Sequence, residues 1–378
     1  MFSLLYDEIL KTSDVIVVKV GTNVLSRPNG LLNEPRIVHL CCELCRMIEQ
    51  KYKVVLITSG AVGAGMGLLS LTERPTEIAK IQAVAAIGQG KLIETYEQIL
   101  RLYGVKSAQI LLTANDLSNR ESYLNARNTI LTLLDLGALP IINENDTVSV
   151  AHLHSTFGDN DRLAALVANL FEHPLLILLT DVDGLFDRDP KDPGAKLIPV
   201  VEQWSPDLMH MVVEKSSGRS KGGMSSKLKA AKMITSSGGN VIIANGDREE
   251  TLRRIFTAQE TGTVFLTQNY LTARKRWLGF AVRATGRLIL DDGAISAVVQ
   301  KGKSLLPVGV LAADGSFERG ETVSLVDSHN REIGRGLTNY SLQDVLRIRG
   351  KKTAELRELI GQNVYMEVVH RDNMQLFD

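Results

Sequence analysis

Short runs of apolar, largely β-branched residues recur along the first two-thirds of the chain. They lie at 14–20, 53–58, 138–142, 174–180 and 240–244. Each run is apolar almost throughout instead of alternating with polar residues. This pattern is typical of strands that are buried on both faces of a parallel sheet.

Helical patterns separate these runs. We predict helices that start near Pro35 and that cover 76–103, 120–136, 162–171 and 224–236. The fixed φ of proline suits the first turn of a helix. Repeated strand–helix–strand units imply right-handed crossovers, so the sequence predicts an α/β fold with a doubly wound, mostly parallel sheet. Ligands of such folds bind at the carboxyl ends of the strands, which makes the residues just after each strand the candidates for function.

The pattern changes after the basic sequence RKRW at 274–277. From Gly286 onward, short strand-like stretches are separated by the turn sequences DDG, KGK, ADG and DSHN, which predict a small β-barrel. We expect the domain boundary near Gly279, with one domain at 1–278 and another at 279–378. Two domains also fit a chain of 378 residues.

Composition narrows the class of protein. The 43 basic and 43 acidic residues cancel, so no bulk charge attracts nucleic acid or an anionic membrane. No apolar stretch approaches the roughly 20 residues of a membrane span, and the first residues lack a signal-peptide pattern, so we expect a cytoplasmic protein. Cys41, Cys42 and Cys45 lie on a predicted helix, and we interpret them as small buried side chains because a zinc site needs about four ligands.

Glycines and polar residues follow the predicted strands. Lys19 precedes Gly21 at the first strand end, and Ser59 begins the sequence SGAVGAG at the second. Such turns let main-chain N–H groups approach an anion, although they equally suit tight turns or close helix packing. The clusters NEND at 143–146 and GDND at 158–161 can bind the ammonium and carboxylate groups of an amino acid. Taken alone, Asp161 is also compatible with a simple role at a helix start.

A third group of residues is suited to a nucleotide. The sequence SKGGMSSK at 220–227 leads into a helix and favours a phosphate site, with a capped helix as the alternative. Thr180 and Asp181 follow the most apolar strand, where a base or ribose can bind. No nucleophile–base pair is evident, but a carboxylate acceptor is already ionised at neutral pH. Phosphoryl transfer to it needs positioning and charge neutralisation by lysines and Mg²⁺, which this set of residues suits.

These motifs together resemble one family. KVGTN, SGAVGAG, INEND, GDND, TDVDGL and GGMSSK occur in the order found in glutamate 5-kinases of the amino acid kinase fold. The tail, with GRLILDDGAISAVVQKGKSLLPVGV and GSFERGE, resembles the PUA domain that many bacterial members carry. The resemblance runs from about residue 15 to about residue 367. It implies ATP-dependent phosphorylation of the γ-carboxylate of L-glutamate to L-glutamyl 5-phosphate, the first step of proline biosynthesis.

The resemblance also implies roles for individual residues. Lys19 and Lys227 would stabilise the transferring phosphoryl group, and Asp161 would orient both lysines. Glutamate would be bound by Ser59, Asp146 and Asn160. The residues implied in ATP binding are Lys19, Thr180, Asp181, Lys221, Gly222, Gly223, Met224, Ser225, Ser226 and Lys227. Lys221 departs from the family, which usually has a small hydroxyl residue there, and this leaves the role of its side chain open.

The family further implies cofactors and partners. Mg²⁺ would be held mainly by the nucleotide, so no dedicated metal site is expected. Proline is expected as a feedback inhibitor, glutamyl phosphate reductase as the functional partner that receives the unstable acyl phosphate, and the chain as a homo-oligomer. The alternatives are another kinase of the same fold and a protein that binds RNA or takes part in RNA modification through the PUA-like domain. The 13 basic and 13 acidic residues of 279–378 argue against the RNA alternative.

Overall fold

The computed structural model describes residues 2–148, 159–205, 208, 223–259, 261–267, 273–351, 355 and 365–377. The chain divides into two compact units, Met1–Tyr270 and Leu271–Asp378. The location of the domain boundary near Gly279 stays a prediction. No helix in the described ranges combines the length and apolarity that crossing a membrane requires.

A mainly parallel sheet forms the centre of the first unit. Its eight strands within the described residues are β1 (Val15–Val20), β2 (Val54–Ile57), β3 (Lys106–Leu112), β4 (Ala138–Glu144), β5 (Pro174–Thr180), β6 (Val200–Val201), β7 (Asn240–Asn245) and β8 (Thr263–Phe265). They are ordered β3-β4-β2-β1-β5-β7-β8-β6, and β8 pairs with β7 in the antiparallel direction. The five apolar runs all form strands, as predicted. β3, β6 and β8 were not predicted: β3 lies at the sheet edge with only partly buried residues, and β6 and β8 are two and three residues long.

Helices connect these strands. They are α1 (Phe2–Thr12), α2 (Thr22–Leu25), α3 (Glu34–Glu49), α4 (Ala61–Leu68), α5 (Ile78–Leu102), α6 (Ala114–Ser118), α7 (Arg120–Asp135), α8 (Asp159–Ala168), α9 (Met224–Thr235) and α10 (Thr251–Phe256). The alternating order and the parallel pairing confirm the predicted α/β class. The first turn of α8 lies before the predicted start at residue 162, and this places Asn160 and Asp161 on the helix.

Burial explains why the apolar runs form the centre of this unit. Every residue of β1, β2 and β5 is buried, as expected for strands covered on both faces. Cys41 and Cys45 of α3 are buried in the same core, as predicted. Cys42 is only partly buried and lies 2.8 Å from the hydroxyl of Tyr103, so the prediction of three buried cysteines was wrong at this position.

The second unit contains a smaller mixed sheet. Its strands are β9 (Gly286–Leu290), β10 (Val310–Gly315), β11 (Thr322–Val326), β12 (Glu332–Thr338) and β13 (Val369–Leu376), in the order β10-β9-β11-β12-β13. Its α-helices within the described residues are α11 (Ala273–Arg276), α12 (Asp292–Ile295) and α13 (Leu342–Ile348). Two π-helical turns (Trp277–Ala281 and Ser296–Gln300) and one 3-10 turn (Pro307–Gly309) accompany them. Leu288, Val323 and Leu325 lie in its own hydrophobic core. A separate small β unit after the α/β unit was predicted from the turn sequences.

Candidate active site

The strand order brings the predicted functional sequences to one edge of the sheet. β4, β2, β1, β5 and β7 are consecutive neighbours and run parallel, so their carboxyl ends lie side by side. Ser59 follows β2 on one side of β1, and Asp181 follows β5 on the other. Lys19, near the end of β1, therefore lies between two half-sites, one with the amide and hydroxyl groups that follow β2 and β4 and one with the polar groups that follow β5.

Lys19, Asp161 and Lys227 form a buried charge cluster between these half-sites. The Lys19 Nζ lies 2.7 Å from Asp161 Oδ1, and the Lys227 Nζ lies 3.2 Å from Asp161 Oδ2. Only 1% of the Asp161 side chain is exposed. The hydroxyl of Ser226 also donates a hydrogen bond of 2.6 Å to Oδ2. One carboxylate thus holds two ammonium groups that come from β1 and from the start of α9.

The electrostatics of this cluster are dominated by burial and by its mixed charge. Burial alone would raise the pKa of Asp161, but the two lysines and the Ser226 hydrogen bond outweigh it and hold that pKa well below its usual value. Burial lowers the pKa of Lys19, and Asp161 opposes this effect most strongly. Asp161 therefore counteracts the effect of burial on the Lys19 ammonium group, and a charge in such a buried environment acts strongly on an anionic ligand.

Asn160, next to Asp161 on α8, faces the amide and hydroxyl half-site. Its Nδ2 donates to the main-chain carbonyl of Thr58 at 2.9 Å, to Ser59 Oγ at 2.8 Å and to Asn143 Oδ1 at 3.2 Å. Its Oδ1 is buried and accepts no hydrogen bond from the described residues. Because a buried acceptor without a partner is costly, this oxygen marks a point where a ligand donor fits.

The glycines of SGAVGAG form a tight turn and allow close helix packing. Gly60 has a φ of +105°, a left-handed conformation that a side chain would strain, and it turns the chain between β2 and α4. Gly65 packs against α5 so closely that a Cβ atom would lie 1.9 Å from the carbonyl oxygen of Val84. Gly88 of α5 has the same relation to the carbonyl of Ala61. The tight turn and the close helix packing occur at different glycines of the same region.

The half-site beyond β5 contains residues that hold one another in place. Asn23 Nδ2 donates to Asp181 Oδ2 at 2.9 Å, and the Thr180 hydroxyl donates to Asp181 Oδ1 at 3.1 Å. Burial opposes ionisation of Asp181, but the hydrogen bond from Asn23, a main-chain N–H, the Thr180 hydroxyl and the nearby charge of Lys227 together outweigh it and lower its pKa. Asn245, at the end of β7, donates to Asp183 at 2.8 Å. This edge therefore presents an oriented Asp181 carboxylate with a lowered pKa beside the charge cluster.

The remaining predicted residues are distributed as follows. Asp146 lies partly buried in the turn after β4, close in sequence to Asn143. Three more predicted residues lie at the start of α9: Gly223 precedes the helix, and Met224 and Ser225 are its first two residues. The amino terminus of α9 lies at the charge cluster, since Ser226 and Lys227 contact Asp161. Lys221 and Gly222 lie outside the described residues.

Sequence reasoning did not assign a role to two side chains at this site. Asn23 belongs to the KVGTN sequence, and its position after the strand could have suggested it. Gln89, which accepts a 2.9 Å hydrogen bond from Asn143 Nδ2, lies in the middle of α5 without any local motif. Only the packing of α5 against α4 reveals it.

Comparisons with known proteins agree with this architecture. The sequence model of the amino acid kinase family matches residues 14–245, and that of the PUA domain matches residues 286–360. A protein of Caldanaerobacter subterraneus named glutamate 5-kinase is 46% identical over 365 residues, which cover 96% of this chain and 98% of that protein. A protein of the same name from Deinococcus radiodurans is 45% identical, and the match covers 96% of this chain and 99% of that protein. Another from Rhodopirellula baltica is 42% identical, and the match covers 98% of this chain and 95% of that protein.

Proposed function

The chain belongs to the glutamate 5-kinases of the amino acid kinase family, and we propose that its charge cluster transfers a phosphoryl group between the two half-sites. The reaction is the ATP-dependent phosphorylation of the side-chain carboxylate of L-glutamate, the first step of proline biosynthesis. The observation that carries the proposed residue roles is the position of Lys19, Asp161 and Lys227, which lie between the half-site that suits an amino acid and the half-site that suits a nucleotide.

Glutamate occupies the half-site beside β2 and β4 in this proposal. The unpartnered Oδ1 of Asn160 accepts a hydrogen bond from the α-ammonium group. Ser59 Oγ receives a hydrogen from Asn160, so its own hydrogen is available for a substrate carboxylate. Asp146 supplies the negative charge that complements the ammonium group. A compound without the α-amino group would leave the buried oxygen of Asn160 without a donor.

ATP occupies the half-site beside β5 and the start of α9. The first main-chain N–H groups of a helix have no partner within the helix, and the residues at 223–225 therefore offer donors to phosphate oxygens. The Ser226 hydroxyl is held by Asp161 and serves the cluster rather than the phosphates. Thr180 and Asp181 lie at the edge where the nucleoside binds, and we propose Lys221 and Gly222 as further phosphate contacts.

The chemistry requires no general base, because the acceptor carboxylate is ionised at neutral pH. Its oxygen attacks the γ-phosphorus, the bond to the bridging oxygen of ADP breaks, and the products are glutamyl 5-phosphate and ADP. Lys19 and Lys227 stabilise the charge on the equatorial and leaving oxygens as it redistributes. Asp161 positions both ammonium groups and does not itself exchange a proton, since its pKa is far below neutrality.

A divalent metal ion fits this site as a companion of the nucleotide. Both oxygens of Asp161 are already engaged by the lysines. The three-residue group of possible metal ligands among the described residues, Asp14, Glu172 and His173, lies at the opposite ends of β1 and β5. We therefore propose that Mg²⁺ is held by the ATP phosphates, where it supplies neutralisation of their charge.

Further features of the proposal rest on the acyl phosphate product and on the family. We propose a cytoplasmic homo-oligomer that is inhibited by proline at the glutamate half-site and delivers its product to glutamyl phosphate reductase. A rapidly hydrolysed acyl phosphate favours a nearby consuming enzyme. RNA binding by the second unit is not favoured, because the 13 basic and 13 acidic residues of 279–378 give that region no excess positive charge.

Trapping of the acyl phosphate tests the proposed function. The protein is incubated with Mg²⁺-ATP, glutamate and hydroxylamine, and glutamyl hydroxamate and ADP are measured. We expect glutamate-dependent hydroxamate from the wild type, none with acetylglutamate or aspartate, and a loss of about 100-fold or more in Lys227→Ala, as for removal of one transition-state donor.

Lys232→Ala is the matched control, because Lys232 is exposed on the last turn of the same helix. It should retain full activity. A folded wild-type protein that binds ATP but gives no hydroxamate with any amino acid would contradict the proposed function.

A further inference from the structure

A chain of side-chain amides leads from the middle of α5 to the proposed glutamate half-site. Gln89 Oε1 accepts from Asn143 Nδ2 at 2.9 Å, and Asn143 Oδ1 accepts from Asn160 Nδ2 at 3.2 Å. Asn143 is buried, whereas Gln89 is partly buried. The three residues come from α5, β4 and α8, so the chain connects elements that are far apart in sequence.

Two main-chain groups fix the direction of these hydrogen bonds. The N–H of Glu144 can only donate, and it donates to Asn143 Oδ1 at 2.9 Å. The carbonyl of Thr58 can only accept, and it accepts from Asn160 Nδ2 at 2.9 Å. Asn143 must therefore turn its NH₂ group toward Gln89, and Gln89 must present its oxygen.

The consequence appears at the far end of the chain. With its NH₂ group held by oxygens of Thr58, Ser59 and Asn143, Asn160 is left with Oδ1 as a buried acceptor without a partner among the described residues. Had the amides the opposite orientation, a donor would occupy this place and would repel an ammonium group. The polarity of the chain thus determines which end of a ligand the half-site accepts.

Close packing of two helices holds Gln89 in reach of Asn143. A Cβ atom at Gly88 would lie 1.9 Å from the Ala61 carbonyl oxygen, and one at Gly65 would lie 1.9 Å from that of Val84. The absence of side chains at both glycines lets α4 and α5 approach, and α4 directly follows the turn that carries Ser59. Gln89 therefore has a fixed position relative to the half-site.

We propose that Gln89 is a positioning residue that sets the selectivity of the half-site for the α-ammonium group of glutamate. It acts through Asn143 and Asn160 and does not contact the substrate. This inference rests on the proposed function, since it takes the half-site beside β2 and β4 to be the glutamate site. Without the Gln89 oxygen, the buried NH₂ group of Asn143 loses its acceptor, and the Asn143 amide loses a contact that holds it in place beside Asn160.

Substitutions at Gln89 test the proposal through a comparison of two ligands. KM is measured for glutamate and for ATP, and Ki for glutarate, which has both carboxylates but no amino group. For Gln89→Leu and Gln89→Met, we expect the glutamate KM to rise about tenfold, as for one unsatisfied buried donor. The ATP KM and the glutarate Ki should change by less than about twofold, so that selectivity for the amino group falls by the same tenfold factor. Gln89→Glu, whose carboxylate accepts hydrogen bonds, should retain wild-type selectivity.

The controls separate this inference from its premise. Gln98→Leu changes an exposed glutamine of the same helix and should leave all three constants unchanged. If the wild type forms hydroxamate but the ratio of glutamate KM to glutarate Ki is unaltered in both apolar variants, the positioning role is refuted while the proposed function stands. An equal rise of both constants also refutes it, because that result indicates general damage to the pocket. If the wild type forms no hydroxamate, the proposed function itself fails, and the inference fails with it.

Discussion

Replacement of Asp161 by asparagine removes the one charge that joins Lys19 to Lys227. The side chain keeps its shape, so the change is mainly electrostatic. At an effective dielectric constant of about 20, the contacts of 2.7 and 3.2 Å correspond to Coulomb attractions of about 6 and about 5 kcal/mol. Much of this attraction offsets the cost of burying the charges. Removal of one partner of a buried ion pair typically lowers stability by about 3–5 kcal/mol, and we expect a loss in this range.

The effect on activity depends on pH in a direction that the structure specifies. Burial and the nearby Lys227 both lower the pKa of Lys19, whereas Asp161 raises it. In Asp161→Asn the pKa of Lys19 falls further, so Lys19 loses its proton, and with it its charge, at a lower pH than in the wild type. The variant should therefore lose activity as pH rises across a range in which the wild type retains it.

Two measurements check these expectations. ADP release is followed from pH 6 to pH 9 at saturating glutamate and ATP, and the free energy of unfolding is measured by denaturant titration. Asp135→Asn is the matched control, because Asp135 forms an exposed pair of 2.9 Å with Lys53. Such pairs contribute about 0–1 kcal/mol. The reasoning is refuted if the pH profile of Asp161→Asn has the wild-type shape and its stability loss is no larger than that of the control.

Three further predictions concern other parts of the first unit. Asn23→Ala removes a hydrogen bond of 2.9 Å to Asp181 and should raise the KM for ATP severalfold while the KM for glutamate changes little. Equal changes in both KM values would contradict the assignment of the half-sites. Gly65→Ala would place a Cβ atom 1.9 Å from a main-chain carbonyl oxygen of α5 and should destabilise the fold by about 1–3 kcal/mol or more. Gly67→Ala, where the nearest atom lies 3.9 Å from the new Cβ, should not destabilise it, and unchanged melting temperatures in both variants would disprove the packing argument. Folding lowers the pKa of Asp161, so its contribution to stability is present above its unfolded pKa of about 3.9 and is lost as pH falls below that value. The free energy of unfolding of Asp161→Asn should therefore fall less steeply with decreasing pH than that of the wild type.

Local sequence was informative where one element by itself fixed the outcome. The apolar run at 174–180 can only be buried on both faces, and it forms β5 with the predicted bounds. The turn after β2 needs a left-handed residue, and glycine occupies it. In contrast, β3 was not predicted, because an edge strand with partly exposed residues carries no strong apolar or alternating pattern.

The sequence by itself determined the α/β class, the five apolar strands and the polar residues that follow them, because hydrophobic periodicity and turn chemistry are local properties. Tertiary structure decided which of these strand ends become neighbours, through the order β4-β2-β1-β5-β7. It also decided that two adjacent residues of α8 contact different groups, since Asn160 is directed to the amides and Asp161 to the lysines. Gln89 reaches Asn143 only because two helices pack at the distance that glycine permits. Such contacts depend on the pairing of distant segments, which no local pattern in the sequence encodes.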